Sequence, residues 1–326
     1  MPCINVYFLN SPQQNRWLPG DKYIIPILRK LIRGRKIGSI EKVFLSLCKG
    51  FDLLNVDYTI NKPFHQIKAD EPVIILGNGT YALQNYHQPN LIIAGIGLMT
   101  HPAEWPDLFK KYPVAAYLQH SKWVNDIYIP YYGADKCALW PAGINTEKWQ
   151  PVKTIKKYDI LIYSKIMWDK PLTHENLTTA VLEKLEKSGL SYRIITYGKY
   201  TESQYHQLLL QSRAMLFLCE HESQGFACCE ALAMNVPVLA WDQGLWLDPN
   251  RFSWGEHKPV PATSVPFFDS RCGEKFTDLN SFHHVFDDFY AKVLKAEFSP
   301  RSYILENLTL KKSAQRMLEL VNQVYK

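Results

Sequence analysis

Apolar and polar residues follow one another along this chain in a repeating pattern. A short apolar run is followed by a polar turn, and then by a stretch whose apolar residues fall three and four apart. Residues 5–9 are the first run. After a polar loop through Pro19-Gly20, Ile24, Ile27, Leu28, Leu31 and Ile32 keep helical spacing, with Asp21 placed to cap the helix. Residues 56–60, 72–76, 91–94 and 113–118 read as further strands, and 121–127 as a helix. The pattern resumes with a strand at 159–164, a helix at 176–187, a strand at 192–197 and a helix at 204–212. A strand at 216–218, a helix at 227–234 and a strand at 238–240 come next, and two helices close the chain, over 282–295 and from Leu310 onward. Continuous apolar strands alternating with helices predict an α/β fold built on parallel sheets covered on both faces.

The stretch 220–244 carries the most chemistry. Asn235 is expected to end its helix in a left-handed cap, and Pro237 bars further helix. The amides of Gly225, Phe226 and Ala227 open that helix, where unsatisfied N–H groups and the macrodipole favour an anion. Glu222 stands before the helix and Glu230 within it, separated by seven residues. Two carboxylates beside an anion site make sense if each binds hydroxyls, as a nucleotide-diphosphate sugar would require. The other reading is an ordinary strand-helix-strand with a solvated turn.

The pattern Glu222, Gly225-Phe226, Glu230-Ala231-Leu232-Ala233 and Pro237-Val238-Leu239-Ala240 resembles the retaining GT-B glycosyltransferases of family four (group 1). The resemblance implies two Rossmann-like domains, with the sugar nucleotide held mainly by the second. It departs from the family at Gln224, where an aromatic residue is usual, and Glu220 is a remote substitute for Glu222. Pro141-Ala142-Gly143-Ile144-Asn145 with Trp149 resembles the end of the family's first domain. The expected division is therefore 1–150 as the acceptor-side domain, 151–305 as the nucleotide-sugar domain, and 306–326 as a helix packing back on the first. Lys165 and Lys170, with four residues between them, fall where the family holds the diphosphate with Arg and Lys. At Lys165 the charge is kept and the bidentate fork is lost. By the same resemblance Gly20 touches donor phosphate or acceptor, Gly198 lies where the base packs, and His101 stands near the donor sugar. On its own terms His101 reads equally as a loop residue before Pro102.

Composition narrows the classes. The 326 residues are 47% hydrophobic and 21% charged, the profile of a globular chain long enough for two domains. Seven cysteines without a C-x-x-C pair imply neither a disulfide framework nor a zinc site, and fit a reducing cytoplasm. A net charge of +6 falls short of a nucleic-acid footprint, so no nucleic-acid partner is expected. Arg29, Lys30, Arg33, Arg35 and Lys36 crowd the end of the first expected helix. They either complement its dipole on a solvated face or dock peripherally on an anionic membrane. The expected partners are a nucleotide sugar and a glycan or lipid-linked acceptor. No cofactor or metal is expected, since lysines and amides do the neutralising and Asp287-Asp288 falls within a late helix. The alternatives are a non-catalytic GT-B binding subunit and a sugar-nucleotide epimerase on the same scaffold. A dinucleotide dehydrogenase is disfavoured, because no G-x-G-x-x-G follows a strand.

Overall fold

The computed structural model describes residues 2–10, 37–168 and 174–326. The helix expected from residue 22, Gly20, the basic group Arg29, Lys30, Arg33, Arg35 and Lys36, and Lys170 lie outside the described residues. Contacts divide the chain into two units. One comprises Met1–Gln119, Ile127–Trp140 and Ala314–Lys326, and the other His120–Asp126 and Pro141–Ser313. The position expected for a boundary, Gln150, lies inside the second unit, whose long segment opens at Pro141.

The first unit is a six-stranded sheet of β1 (Ile4–Asn10), β2 (Tyr58–Ile60), β3 (Val73–Asn78), β4 (Ile92–Gly95), β5 (Val114–Gln119) and β6 (Cys137–Leu139). The order is β2-β1-β3-β4-β5-β6, and every pair is parallel. Helix α1 (Ser39–Leu53) is absent from the expected elements, yet Val43, Phe44, Leu47, Cys48 and Phe51 form its buried stripe at helical spacing. A one-turn helix α2 (Leu108–Lys111) precedes β5, and α3 (Lys122–Tyr132) follows it.

Polar ties hold the strand entries of the first sheet. In the first unit Glu71 is 5% exposed and accepts from Asn5 Nδ2 at 3.0 Å, Lys62 Nζ at 2.8 Å and the Lys68 N–H at 3.1 Å. Asn90 Nδ2 donates to the Glu71 carbonyl at 3.0 Å, so the chain entering β3 is held from both sides. The Val73 N–H donates to the Tyr325 hydroxyl at 2.9 Å, and that hydroxyl donates to the Leu91 carbonyl, tying the chain's end to two strand entries.

The second unit is a five-stranded parallel sheet of β7 (Tyr158–Lys165), β8 (Tyr192–Thr196), β9 (Ser212–Cys219), β10 (Val238–Trp241) and β11 (Gly273–Phe276), in the order β11-β10-β9-β7-β8. Its helices include α4 (Thr179–Lys187), α5 (Glu202–Gln211), α6 (Phe226–Ala233), α7 (Leu279–Leu294) and α8 (Pro300–Asn307), and α9 (Leu310–Val324) begins here. Period-two alternation sorts each central strand between two cores. Ile160, Ile162, Leu216 and Leu218 join Phe282 and Phe286 on one face, while Leu161, Tyr163, Met215 and Phe217 join Tyr205 and Leu232 on the other. Each fully buried side chain of this kind contributes roughly 1.5–3 kcal/mol. Near the start of the unit, Gly143 admits no side chain, because a Cβ there would come within 2.7 Å of Leu310 Cα.

In both sheets the second strand lies outside the first, so the strand order reverses beside the first strand of each unit. The crevice outside the carboxyl ends of the strands at such a switch point is where open α/β sheets bind ligands. In the second unit it lies beyond β7 and β9.

The Glu71 tie makes acid stability testable. Burial alone would raise the Glu71 carboxyl, but the donors Lys62, Asn5 and the Lys68 N–H outweigh it and hold the group at about 2. A carboxyl depressed on folding stabilises fully above its ordinary value and loses that contribution as pH falls toward the folded one. We expect Glu71→Gln to cost about 1–3 kcal/mol near pH 7. The gap from wild type should close between about pH 4.5 and 2, read from thermal unfolding across that range.

Candidate functional site

Lys165 is the last residue of β7, and the chain leaving β9 at Cys219 runs directly into Glu220, His221 and Glu222. Register pairs Lys165 with Cys219, so both carboxyl ends reach the switch point together. There Lys165 Nζ donates to Glu222 Oε1 at 2.6 Å, with the two side chains 19% and 16% exposed. The ammonium also stands over the Tyr197 ring, 4.7 Å from its centroid. Burial pulls the Lys165 ammonium down, but the Glu222 carboxylate overrides it and holds Lys165 above its ordinary value, so the cation stays charged.

Glu220 and Glu222 have separate tasks. Glu220 is 2% exposed, and its Oε1 accepts from the N–H groups of Met167 at 2.8 Å and Trp168 at 2.9 Å. It therefore holds the backbone that follows Lys165, and burial pushes its carboxyl up despite those donors. Glu222 is the acid that reaches the lysine. Its own peptide is fixed twice, by its N–H donating to the Thr263 carbonyl at 2.9 Å and by its carbonyl accepting from Trp123 Nε1 at 2.9 Å.

The turn then enters α6 through Gly225, which caps the helix in the left-handed region at φ +68° and ψ 50°. Phe226 and Ala227 form the first turn, whose amides have no intrahelical acceptors by geometry. Glu230 lies one turn on, 4% exposed, close enough to Tyr200 and Tyr205 for its charge to raise both phenols beyond what burial does. At the far end Asn235 takes φ +58°, as the sequence predicts. Gln224, where an aromatic residue is usual, is 4% exposed. Its Oε1 accepts from the Ala142 N–H at 2.9 Å and its Nε2 donates to the Ala142 carbonyl at 3.2 Å. That pair of hydrogen bonds, one accepted and one donated, needs a carboxamide side chain and explains the departure. The loop of Gly198, at φ +77°, follows β8 beside Tyr197.

Lys165, Gly198, Glu222, Gly225, Phe226, Ala227 and Glu230 are thus placed on the carboxyl edge of the second sheet or on the helix that opens from it. His101 belongs to the first unit, where its ring is fully buried. Its Nδ1 accepts from the Ala103 N–H at 3.2 Å, capping a short turn at Pro102–Glu104. Sequence reasoning missed Trp123, Tyr197 and His221. The bond from Trp123 to Glu222 spans 99 residues, a separation no local pattern reveals. His221 sits against Trp123 at 5.8 Å, and burial, reinforced by Lys165, lowers its imidazole to about 4 and keeps it neutral.

No protein-family model and no curated protein matches the sequence. Solved structures do match the fold. The galactosyltransferase WaaB of the lipopolysaccharide outer core aligns at TM-score 0.54 and 11% identity, over 98% of this chain and 100% of that one. WaaG, a glycosyltransferase of lipopolysaccharide biosynthesis, aligns at 0.53 and 8%, over 98% and 99%. An S. aureus TarM mutant in complex with fondaparinux, alpha-GlcNAc-glycerol and UDP aligns at 0.52 and 14%, over 86% of this chain and 59% of TarM. The chain spans 58% of the GtfA/B chain and of TarM in another structure. The fold is that of the GT-B glycosyltransferases.

The geometry at Gly225 is testable alone. A Cβ there would come no nearer than 3.6 Å to Glu222, so space is adequate and only the backbone conformation objects. Gly225→Ala should therefore cost about 1–2 kcal/mol in chemical denaturation.

Proposed function

We propose that the protein transfers a sugar from a nucleotide-diphosphate sugar to a hydroxyl acceptor, a glycan or lipid-linked saccharide, with retention at the anomeric carbon and without a metal ion. The observation that carries this reading is the charged Lys165, paired with Glu222 at a switch point beside the N-terminus of α6. In the proposed reaction Lys165, Lys170 and the amides of Phe226 and Ala227 stabilise the negative charge growing on the departing diphosphate. Glu230 takes the ribose hydroxyls, and Glu222 positions the donor sugar. The acceptor oxygen forms its bond to the anomeric carbon as the bond to the diphosphate oxygen breaks, and the acceptor's proton passes to the leaving group. UDP in the TarM complex and glycosyl transfer in the names of WaaB and WaaG support this chemistry by likeness of fold.

No helix among the described residues is long and apolar enough to cross a membrane. The proposal places the protein in the cytoplasm, with Arg29, Lys30, Arg33, Arg35 and Lys36 meeting an anionic bilayer when the acceptor is lipid-linked.

Calorimetric titration of UDP, GDP, ADP and TDP tests the donor site. One of the four should bind wild type equally well with and without EDTA. Lys165→Ala should weaken it by roughly 1.5–3 kcal/mol, the range for a hydrogen bond to a charged group, and Glu230→Ala should weaken it as well. Failure of all four to bind would overturn the reading. Binding with no transfer across a broad acceptor screen would mark a non-catalytic GT-B subunit instead.

A further inference from the structure

One strand outward from the switch point the second sheet ends, because β8 is the last strand in its order. Along that open edge, between β8 and α5, lies a cavity of about 550 Å³. Ile194, Ile195 and Leu208 give it apolar walls, and Lys199, Ser203 and Gln207 bring polar groups to it. A concave, largely apolar space of this size with a few polar side chains is the usual form of a small-molecule site.

Its position relative to Lys165 follows from the sheet. β8 pairs with β7 so that Thr196 stands opposite Ser164, and the Tyr197 N–H donates to the Ser164 carbonyl at 2.9 Å. Thr196 lines the cavity, which therefore opens at the same carboxyl edge as Lys165, one strand away. Neighbouring strands lie about 4.8 Å apart. Tyr200 joins the cavity to the site. It lines the cavity, its hydroxyl shares a hydrogen bond with that of Tyr163 at 2.9 Å, and the charges of Glu230 and Lys165 both reach its phenol. A ligand whose diphosphate meets Lys165 and whose ribose meets Glu230 thus has this cavity beside it for its base.

The side chains around the cavity restrict which base enters. Among the described residues that line it there is no carboxylate. Lys199 can only donate. Gln204 lines the cavity too, but its Oε1 accepts from the Thr201 N–H at 2.8 Å and the Thr201 hydroxyl at 3.1 Å, so it offers its N–H groups. Donors predominate, and Gln207 supplies a side-chain carbonyl together with an N–H beside it. Uracil and thymine present carbonyl oxygens flanking a single ring N–H. Adenine and cytosine present an amino group instead, and guanine adds an amino group to its ring N–H. Each further N–H on the base needs an acceptor, and an ammonium repels an amino group where it attracts a carbonyl.

We propose that this cavity takes the base of the donor and selects uracil or thymine, with Lys199 meeting a ring carbonyl and the Gln207 carboxamide pairing with the ring N–H and its neighbouring oxygen. The assignment rests on the glycosyl-transfer reading above and names the class of donor. Calorimetric titration of UDP, TDP, CDP, GDP and ADP into wild type, Lys199→Met and Gln207→Glu tests it. Both side chains are exposed, so each variant should melt within about 2 °C of wild type.

Wild type should bind UDP or TDP at least about tenfold more tightly than the other three, the scale of one hydrogen bond to a charged group. Any effect of a changed charge on the phosphates is common to all five ligands, so the ratios report the base alone. Lys199→Met should reduce the preference for UDP or TDP over ADP, which has no ring carbonyl, by roughly tenfold. Gln207→Glu removes an N–H and adds an acceptor, and should move the ratio of GDP to UDP affinity toward GDP by a similar factor. A wild type that does not favour UDP or TDP by that margin overturns the base assignment and leaves glycosyl transfer standing. A preference that either variant leaves unchanged does the same, because the base is then read elsewhere. A wild type that binds none of the five overturns the glycosyl-transfer reading, and the base assignment with it.

Discussion

The arrangement of the second unit depends on one ion pair at the place where its strand order reverses. Parallel neighbours whose crossovers leave on opposite faces cannot close the space beyond their carboxyl ends, and β7 and β9 are such neighbours. Lys165 and Glu222 meet across that gap at 2.6 Å. A lysine so far out of water would tend to lose its proton, and the carboxylate prevents it. Neither partner is free to wander, because Glu220 holds the backbone after Lys165 while Thr263 and Trp123 hold the peptide of Glu222. A flexible side chain on a fixed base becomes a charge at a fixed place, which is the condition for preorganised electrostatics.

The axis of α6 extends the same logic. Its N-terminus opens at the switch point through a residue that only glycine occupies without strain. Its C-terminus is closed by Arg301, whose guanidinium donates to the Ala233 carbonyl and reaches Trp149 at 3.0 Å and Thr146 at 3.1 Å. A cation at the negative end of the dipole and an anion-favouring first turn at the positive end are complementary. Arg301 thereby links α8, the end of α6 and the stretch following Pro141. Gln224 makes the matching link from the other end of the helix to Ala142. The short helix is clamped at both ends by groups distant in sequence, and small Cys228 and Cys229, each 2% exposed, let it lie close to the sheet.

Elements whose cause is local were legible. The buried strands β7, β9 and β10 show as apolar runs because both their faces are covered, and Asn235 announces a left-handed helix end that few other residues adopt. Lys165 came forward only through the resemblance, which places a cation there, and Glu222 through its spacing from Glu230 across the start of the same helix. Helix α1 carries a regular stripe, Val43, Phe44, Leu47, Cys48 and Phe51, that the expected elements did not include. The edge strands β6 and β11 span only Cys137–Leu139 and Gly273–Phe276, too short for periodicity to register. What the sequence concealed was pairing at a distance. Gln224 with Ala142 spans 82 residues, and the separate duties of Glu220 and Glu222 appear only once Met167 and Trp168 are seen to donate to the first.

The lysine that stands where the family places arginine becomes intelligible at this level. A guanidinium is a broad planar fork, suited to gripping two phosphate oxygens at once. Here the cation must fit over the Tyr197 ring and against one Glu222 oxygen, in a space that leaves it only 19% exposed. A compact ammonium with three rotatable donors meets that demand, and can keep one donor on Glu222 while turning others toward an arriving anion. The exchange gives up directional grip on the phosphate and retains the charge. In the proposed reaction the charge is what matters, because the leaving diphosphate gains its negative charge as the bond breaks and a point cation a few ångströms away lowers that energy whatever its shape. Directional grip is left to the amides of α6, whose positions are set by backbone rather than by a side chain.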